Sequence, residues 1–245
     1  MPTESEKQEK QMPDLHFLHE ATRKIIVTGH YGSGKTEFSV SMALILAAQT
    51  EDRLALVDLD IVNPYFRSRE RRDILNRAGI SVHGSVFKTE VTAELPALGA
   101  DVRAPLEDSA CRVIVDAGGN DSGAIVLNQF MKYFIDDETT VLAVINGNRP
   151  ETRDVGGAIA HIDAIEAATG LRIDALVNNS HLLRETTAGT IIDGYRLCAG
   201  ISEATGRAIW CDCYPESLID PADLQGLSGR LLPLGLYMRP TWLDV

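Results

Sequence analysis

From Lys24 onward the chain alternates between short β-branched apolar runs and amphipathic stretches of helical length. The runs predict strands at Ile25-Ile26-Val27, Leu54-Ala55-Leu56-Val57, Val113-Ile114-Val115, Val141-Leu142-Ala143-Val144-Ile145, Ala175-Leu176-Val177 and Ala208-Ile209-Trp210. Helices are predicted between them at Lys35 to Gln49, Pro64 to Ala78, Ser122 to Ile135, Val155 to Thr169 and Thr186 to Thr205. Strands that are apolar at every position need cover on both faces, so the pattern implies a three-layer α/β fold: a mostly parallel central sheet between two helical layers. Between His83 and Glu107 the breaks at Pro96, Gly99 and Pro105 leave no readable period. Residues 1–22 are polar and mixed in charge, with one short helix near Leu15 to Ala21, and read as a mobile tail. Residues 23–245 then form a single domain.

Composition narrows the partners. Of the 245 residues, 44% are hydrophobic, enough for one sizeable core. A net charge of −12 opposes binding to nucleic acid or to an anionic membrane surface, because both need a basic footprint. No apolar stretch approaches the roughly 20 residues needed to cross a bilayer. Cys111, Cys198, Cys211 and Cys213 lack the dense spacing of a disulfide scaffold, and the first residues hold no apolar signal core, so a cytoplasmic location is expected.

The chemistry concentrates at the carboxyl ends of the strands. Gly29-His30-Tyr31-Gly32-Ser33-Gly34-Lys35-Thr36 fits the pattern G-x-x-x-x-G-K-[ST], with a strand before it and a helix after it. Such a loop curls so that successive N–H groups face phosphate oxygens, and the following helix N-terminus adds positive potential. Lys35 is placed to neutralise the β and γ phosphates, and the Thr36 hydroxyl to bind Mg²⁺. Two further strands end in carboxylates, at Asp58-Leu59-Asp60 and at Asp116-Ala117-Gly118-Gly119. Asp116 is the expected Mg²⁺-side carboxylate, the two glycines let the next loop respond to the γ-phosphate, and one of Asp58 and Asp60 is the candidate catalytic residue.

Taken together, these segments resemble the MinD/ParA-like branch of P-loop ATPases, which includes the nitrogenase iron protein and metal-inserting ATPases. The likeness spans Lys24 to about Leu224. The resemblance makes Val57-Asp58-Leu59-Asp60-Ile61 a first switch, in which Asp60 orients the attacking water near the metal, and Asp116-Ala117-Gly118-Gly119 a second. The departure is at His30: relatives carry a lysine there that reaches a dimer partner's nucleotide, so a homodimer is left open. After the strand at 175–177, the carboxamides of Asn178 and Asn179 offer the donor and acceptor that an adenine edge needs, and in the resembled family an Asn there does this. The guanine-reading Asn-Lys-x-Asp is not completed, because His181 and Leu182 follow, so ATP is expected over GTP. Relatives also place a proline beside the base, which would be Pro215 here.

The function these features imply is a Mg²⁺-dependent ATPase switch acting on a protein client, with ATP and ADP as its ligands. Two other functions use the same residues. One is a small-molecule kinase or ligase, with an acceptor pocket lined by Thr89 to Arg103 or Asn146 to Arg149; the other is a nucleotide-binding regulator without turnover. Cys211-x-Cys213 reads as apolar filling rather than a metal site, the Arg67 to Arg72 run as a solvated helix face, and His83, His161 and His181 carry no metal spacing.

Overall fold

The computed structural model describes residues 14–60, 72–84, 95–119, 126–136, 138–227 and 229–237. Its centre is β1 (Lys24–Thr28), whose every position is buried. The chain continues through α1 (Lys35–Gln49), β2 (Arg53–Asp58), α2 (Arg72–Arg77), β3 (Ile80–Gly84), α3 (Leu95–Glu107) and β4 (Cys111–Asp116). Then follow β5 (Thr139–Ile145), α4 (Val155–Thr169), β6 (Ala175–Asn178), α5 (Ala188–Thr205), β7 (Ala208–Pro215) and β8 (Leu231–Leu234).

Among the described residues eight strands form one sheet, all parallel, in the order β3-β2-β4-β1-β5-β6-β7-β8. Alternate side chains along the strands feed two separate cores, as the two-residue period of a strand requires. On one face Ile25, Val27, Leu54 and Leu56 pack beneath α1 and α2, against Phe38, Met42, Leu46 and Leu75. On the other, Ile26, Ala55, Val57 and Val115 pack against Val102 and Leu106 of α3, Ile162 of α4 and Ile201 of α5. The three-layer α/β fold expected from the apolar runs is the fold observed.

Local signals set both ends of α4 and α5. Asp154 caps α4 by accepting the Gly157 N–H, and Thr187 and Thr190 form a reciprocal capping box on α5. Both helices stop at a glycine in the left-handed region, Gly170 and Gly206. Three elements had no readable signal. Ile80–Gly84 is a short strand at the sheet edge, and Leu231–Leu234 holds a proline that is tolerated on the other edge. In α3, Pro105 removes one ladder hydrogen bond, yet burial of Val102 and Leu106 holds the helix.

The polar N-terminal stretch also differs from the expectation of a mobile tail to residue 22. His16–Glu20 is a 3-10 turn whose Phe17 and Leu18 are buried, and Phe17 meets Trp210 edge to face at 5.2 Å. Four apolar residues, Leu15, Phe17, Leu18 and Ala21, join the core under α1. Only the first residues of the helix expected at Ser122 to Ile135, 122–125, and the start of that at Pro64 to Ala78, 64–71, lie outside the described residues; the rest of the first is a short helical turn at 126–128 and a 3-10 turn at Met131–Tyr133 rather than one helix, and Arg72–Arg77 is helical. Among the described residues no helix is long and apolar enough to cross a membrane.

Candidate functional site

The sheet changes direction around β1: β2, β3 and β4 lie on one side and β5 to β8 on the other. In an open α/β sheet that switch point leaves a crevice at the carboxyl strand ends. The loop 29–34 sits in it, between β1 and α1. Gly34 ends the loop in the left-handed region, at φ 84°, and α1 begins without a side-chain cap. Its first N–H groups therefore remain available to an anion. Lys35 is buried and curls back, its Nζ 3.3 Å from the His30 carbonyl oxygen. Thr36 is buried beside it.

The carboxylate strands close one flank. Asp58 and Asp116 are directly paired in the β2–β4 register, and Asp116 also pairs with Val27 of β1. Backbone bonds from Leu59 N–H to the Asp116 carbonyl and from Ala117 N–H to the Val27 carbonyl fix the strand ends together. The Asp60 N–H donates to Asp58 Oδ1 at 3.2 Å, and the Asp60 carboxylate lies near enough to Asp116 to act on it electrostatically. Gly119 passes so close to the loop that a Cβ there would lie 1.6 Å from the Gly29 carbonyl oxygen. Only glycine fits at that crossing, so the contact adds a reason for Gly119 beyond loop movement.

Asp116 is the unusual group. It is fully buried, and neither carboxylate oxygen makes a well-formed hydrogen bond. Burial first, and then the neighbouring Asp58, push its pKa up to about 8, against Lys35 and a loose contact with the Thr36 hydroxyl; Asp60 raises it further. The buried Ser33 hydroxyl in the loop is likewise without a partner. Orphaned oxygens at this spot would suit a divalent cation. Among the described residues no three His, Cys, Asp or Glu side chains are arranged to hold a metal by themselves. Thr36 and Asp116 would accordingly hold Mg²⁺ in company with phosphate oxygens, the usual arrangement for an ion that keeps few protein ligands.

The other flank is built of amides. Asn179 is buried and donates from Nδ2 to the Ser33 carbonyl at 2.7 Å, tying the end of β6 to the loop. Asn178 faces the interior: its two amide protons go to Asp212 Oδ1 at 2.8 Å and the Ile191 carbonyl at 3.0 Å, and its Oδ1 accepts the Ser180 N–H. Of the two expected base-reading amides, Asn179 therefore stands at the crevice, while the donors of Asn178 are spent on packing. Pro215 ends β7 and is buried; its carbonyl accepts from Leu218 and Ile219.

Further residues gather here, among them His30 of the loop and the Asn146 to Arg149 turn. His30 stacks edge to face on His161 of α4, ring centroids 5.0 Å apart, and its Nε2 lies 3.5 Å from Glu151. Burial, with His30 and Lys35 nearby, pushes the pKa of His161 down to about 4, and its Nε2 has no hydrogen-bond partner. The fully buried Asn146, directly after β5, fastens the turn that carries Arg149 and Thr152. A polar residue ending an apolar strand beside β1 was the available clue. Cys211 and Cys213 instead lie in the core under β7, and burial pushes the Cys211 thiol up. His83 bonds Asp101 and joins β3 to α3.

No protein-family model matches the sequence, and no curated protein matches it. Solved structures share the fold. The cell division protein FtsY of Thermotoga maritima aligns with a TM-score of 0.50 at 20% identity, over 76% of this chain and 59% of that one. Chloroplast FtsY of Physcomitrella patens aligns at 0.51 and 15% identity, over 76% and 56%. Signal recognition particle 54 kDa protein of Aeropyrum pernix K1, solved in complex with GDP, aligns at 0.49 and 19%, over 83% and 43%. The chain thus spans about half the length of these proteins. With the loop and the parallel sheet, the likeness defines the class of fold: that of the P-loop NTPases.

Proposed function

We propose that this chain is a Mg²⁺-dependent nucleotide switch of the MinD/ParA-like kind that binds and hydrolyses ATP, its two conformations being read by a client protein. The observation that supports this most is the pairing of an uncapped phosphate loop with a buried carboxylate lacking partners, Asp116, across the same crevice. In this reading the loop amides of residues 29–34 and Lys35 would hold the phosphates, and Thr36 and Asp116 would hold the metal, which would supply charge neutralisation at the terminal phosphoryl group. Asp60, with Asp58 as the second candidate, orients water for in-line attack, and Asn179 meets the base. Gly119, lying on Gly29, would register loss of the terminal phosphate by moving against the loop. A catalytic cytoplasmic monomer and a homodimer are equally compatible with His30 at the second loop position.

Calorimetry with Mg-ATP and Mg-GTP in competition tests the reading. Micromolar ATP binding that Lys35→Ala abolishes supports it, since only the flexible cation facing the phosphates is removed. Unaltered affinity in Lys35→Ala would refute the phosphate-loop assignment, and tighter GTP binding would replace ATP by GTP while leaving the switch intact.

A further inference from the structure

A loop that turns its amides inward turns carbonyls outward, and each outward carbonyl needs a donor. At Gly32 the donor is Arg149, whose Nε lies 2.9 Å from the carbonyl oxygen. The rest of the guanidinium packs on the glycine itself: a Cβ at Gly32 would come within 2.8 Å of Cζ and 2.9 Å of Nη2. At Ser33 the donor is Asn179. Beside Gly34 lies His181, whose Nε2 would be 3.3 Å from a Cβ there. Three side chains thus cover three consecutive loop residues.

They come from the turns after β5 and β6, which are fastened to each other. Asn146 Oδ1 accepts the N–H groups of Asn148 and His181, and its Nδ2 donates to the His181 carbonyl. The Gly147 N–H donates to Ser180 Oγ at 3.0 Å. A guanidinium placed this firmly is an oriented plane, not a loose surface charge.

Position decides what that plane meets. Asp58, Asp60 and Asp116 lie on the β2–β4 side of β1, whereas Arg149, Asn179 and His181 lie on the β5–β6 side. A nucleotide whose terminal phosphate and metal face the carboxylates must carry its nucleoside out over β5 and β6. Burial, with Arg149 adding to it, pulls the pKa of His181 down to about 4, which keeps the imidazole neutral at pH 7. A planar cation and a neutral aromatic ring are the surfaces on which a base rests.

We infer that Arg149 is the platform for the nucleoside half of the ligand, its guanidinium lying against the base with His181 alongside. The inference rests on the nucleotide reading but is separable from it, because the loop and Lys35 hold the phosphates whether or not a base is attached. Inorganic tripolyphosphate with Mg²⁺ is the probe that separates them.

Calorimetry on the full chain should show Arg149→Ala weakening Mg-ATP about tenfold, the size of one lost stacking contact, with Mg-tripolyphosphate changed less than about twofold. Arg149→Lys keeps a donor for the Gly32 carbonyl but not the plane, so it should bind tripolyphosphate like wild type and ATP as weakly as Arg149→Ala. It also decides the question if the alanine variant fails to fold, as judged by circular dichroism. Unchanged ATP affinity in both variants, or an equal loss for both ligands in both variants, would overturn the inference and leave Arg149 as a brace for the loop. Wild-type protein that binds tripolyphosphate as tightly as ATP would also overturn it. Wild-type protein that binds neither, nor GTP, would instead sink the nucleotide reading before Arg149 is touched.

Discussion

On the two sides of β1 the sheet ends in different chemistry. Toward β2 and β4 the strand ends carry Asp58, Asp60 and Asp116, three carboxylates within one buried crevice. Toward β5 and β6 they carry Asn146, Asn178 and Asn179, three buried amides whose hydrogen bonds are made within the protein. Burial away from water raises a carboxyl's pKa and nearby like charges raise it further, and Asp116 shows both. Neutral amides with matched partners carry no such cost and stiffen the backbone that holds them. One flank is therefore incomplete at Asp116, whose buried oxygens make no well-formed hydrogen bond, and the other is finished in advance. If the proposed nucleotide binds here, a site made of both halves would hold the invariant part of the ligand rigidly and respond to the part that changes.

The largest effect should come from the incomplete flank. Asp60→Ala is expected to bind ATP about as tightly as wild type and to release phosphate about a hundredfold more slowly, as for loss of one positioning base. Asp116→Ala should lose affinity for Mg-ATP as well as turnover. Wild-type turnover in Asp60→Ala would move the role to Asp58.

The finished flank should fail by unfolding rather than by chemistry. Asn146→Ala leaves the N–H groups of Asn148 and His181 without their acceptor, and should cost about 2 kcal/mol in urea denaturation, independent of pH and of Mg²⁺. A dependence on Mg²⁺ would show that the two flanks are coupled after all.

Asp116 supplies the converse test. Its folded pKa is about 8 against an ordinary 3.8, so between those values the folded protein holds a proton that the unfolded chain has released. The stability present at low pH is then lost as the pH rises through about 8. Asp116→Asn stays neutral throughout: without nucleotide or Mg²⁺ it should match wild type near pH 4 and exceed it at pH 8 by several kcal/mol, on the order of 5. Parallel stability curves for the two proteins would mean that the crevice already neutralises the charge.

The smallest effect belongs to the His30–Glu151 pair. At 3.5 Å and with Glu151 largely exposed, its removal by Glu151→Ala should change stability by no more than about 0.5 kcal/mol. A larger loss would give His30 a part in holding the loop.

What the amino-acid sequence determined by itself was whatever is local. The run Gly29 to Thr36 specifies its own backbone, since the glycines permit the curl and the strand and helix that flank it are written in contiguous apolar patterns. The ends of α4 and α5 follow from capping residues within four positions of them. Asp58, Asp60, Asp116 and Asn179 were legible because a polar residue ending an apolar strand lies at the carboxyl edge of the sheet wherever that strand is placed. The tertiary structure decided what depends on strand order and on distance between remote segments. Nothing near residue 149 in the sequence shows that β5 lies beside β1 and so brings Arg149 onto Gly32, 117 positions away. Asn178 and Asn179 look alike in the chain, and only the packing of α5 and β7 turns one inward to Asp212 and leaves the other on the loop. The pKa of Asp116 likewise belongs to no segment: it arises first because the assembled sheet and its cover bury the carboxyl away from water, and then because two strands 58 residues apart are paired in a register that sets Asp58 directly beside it.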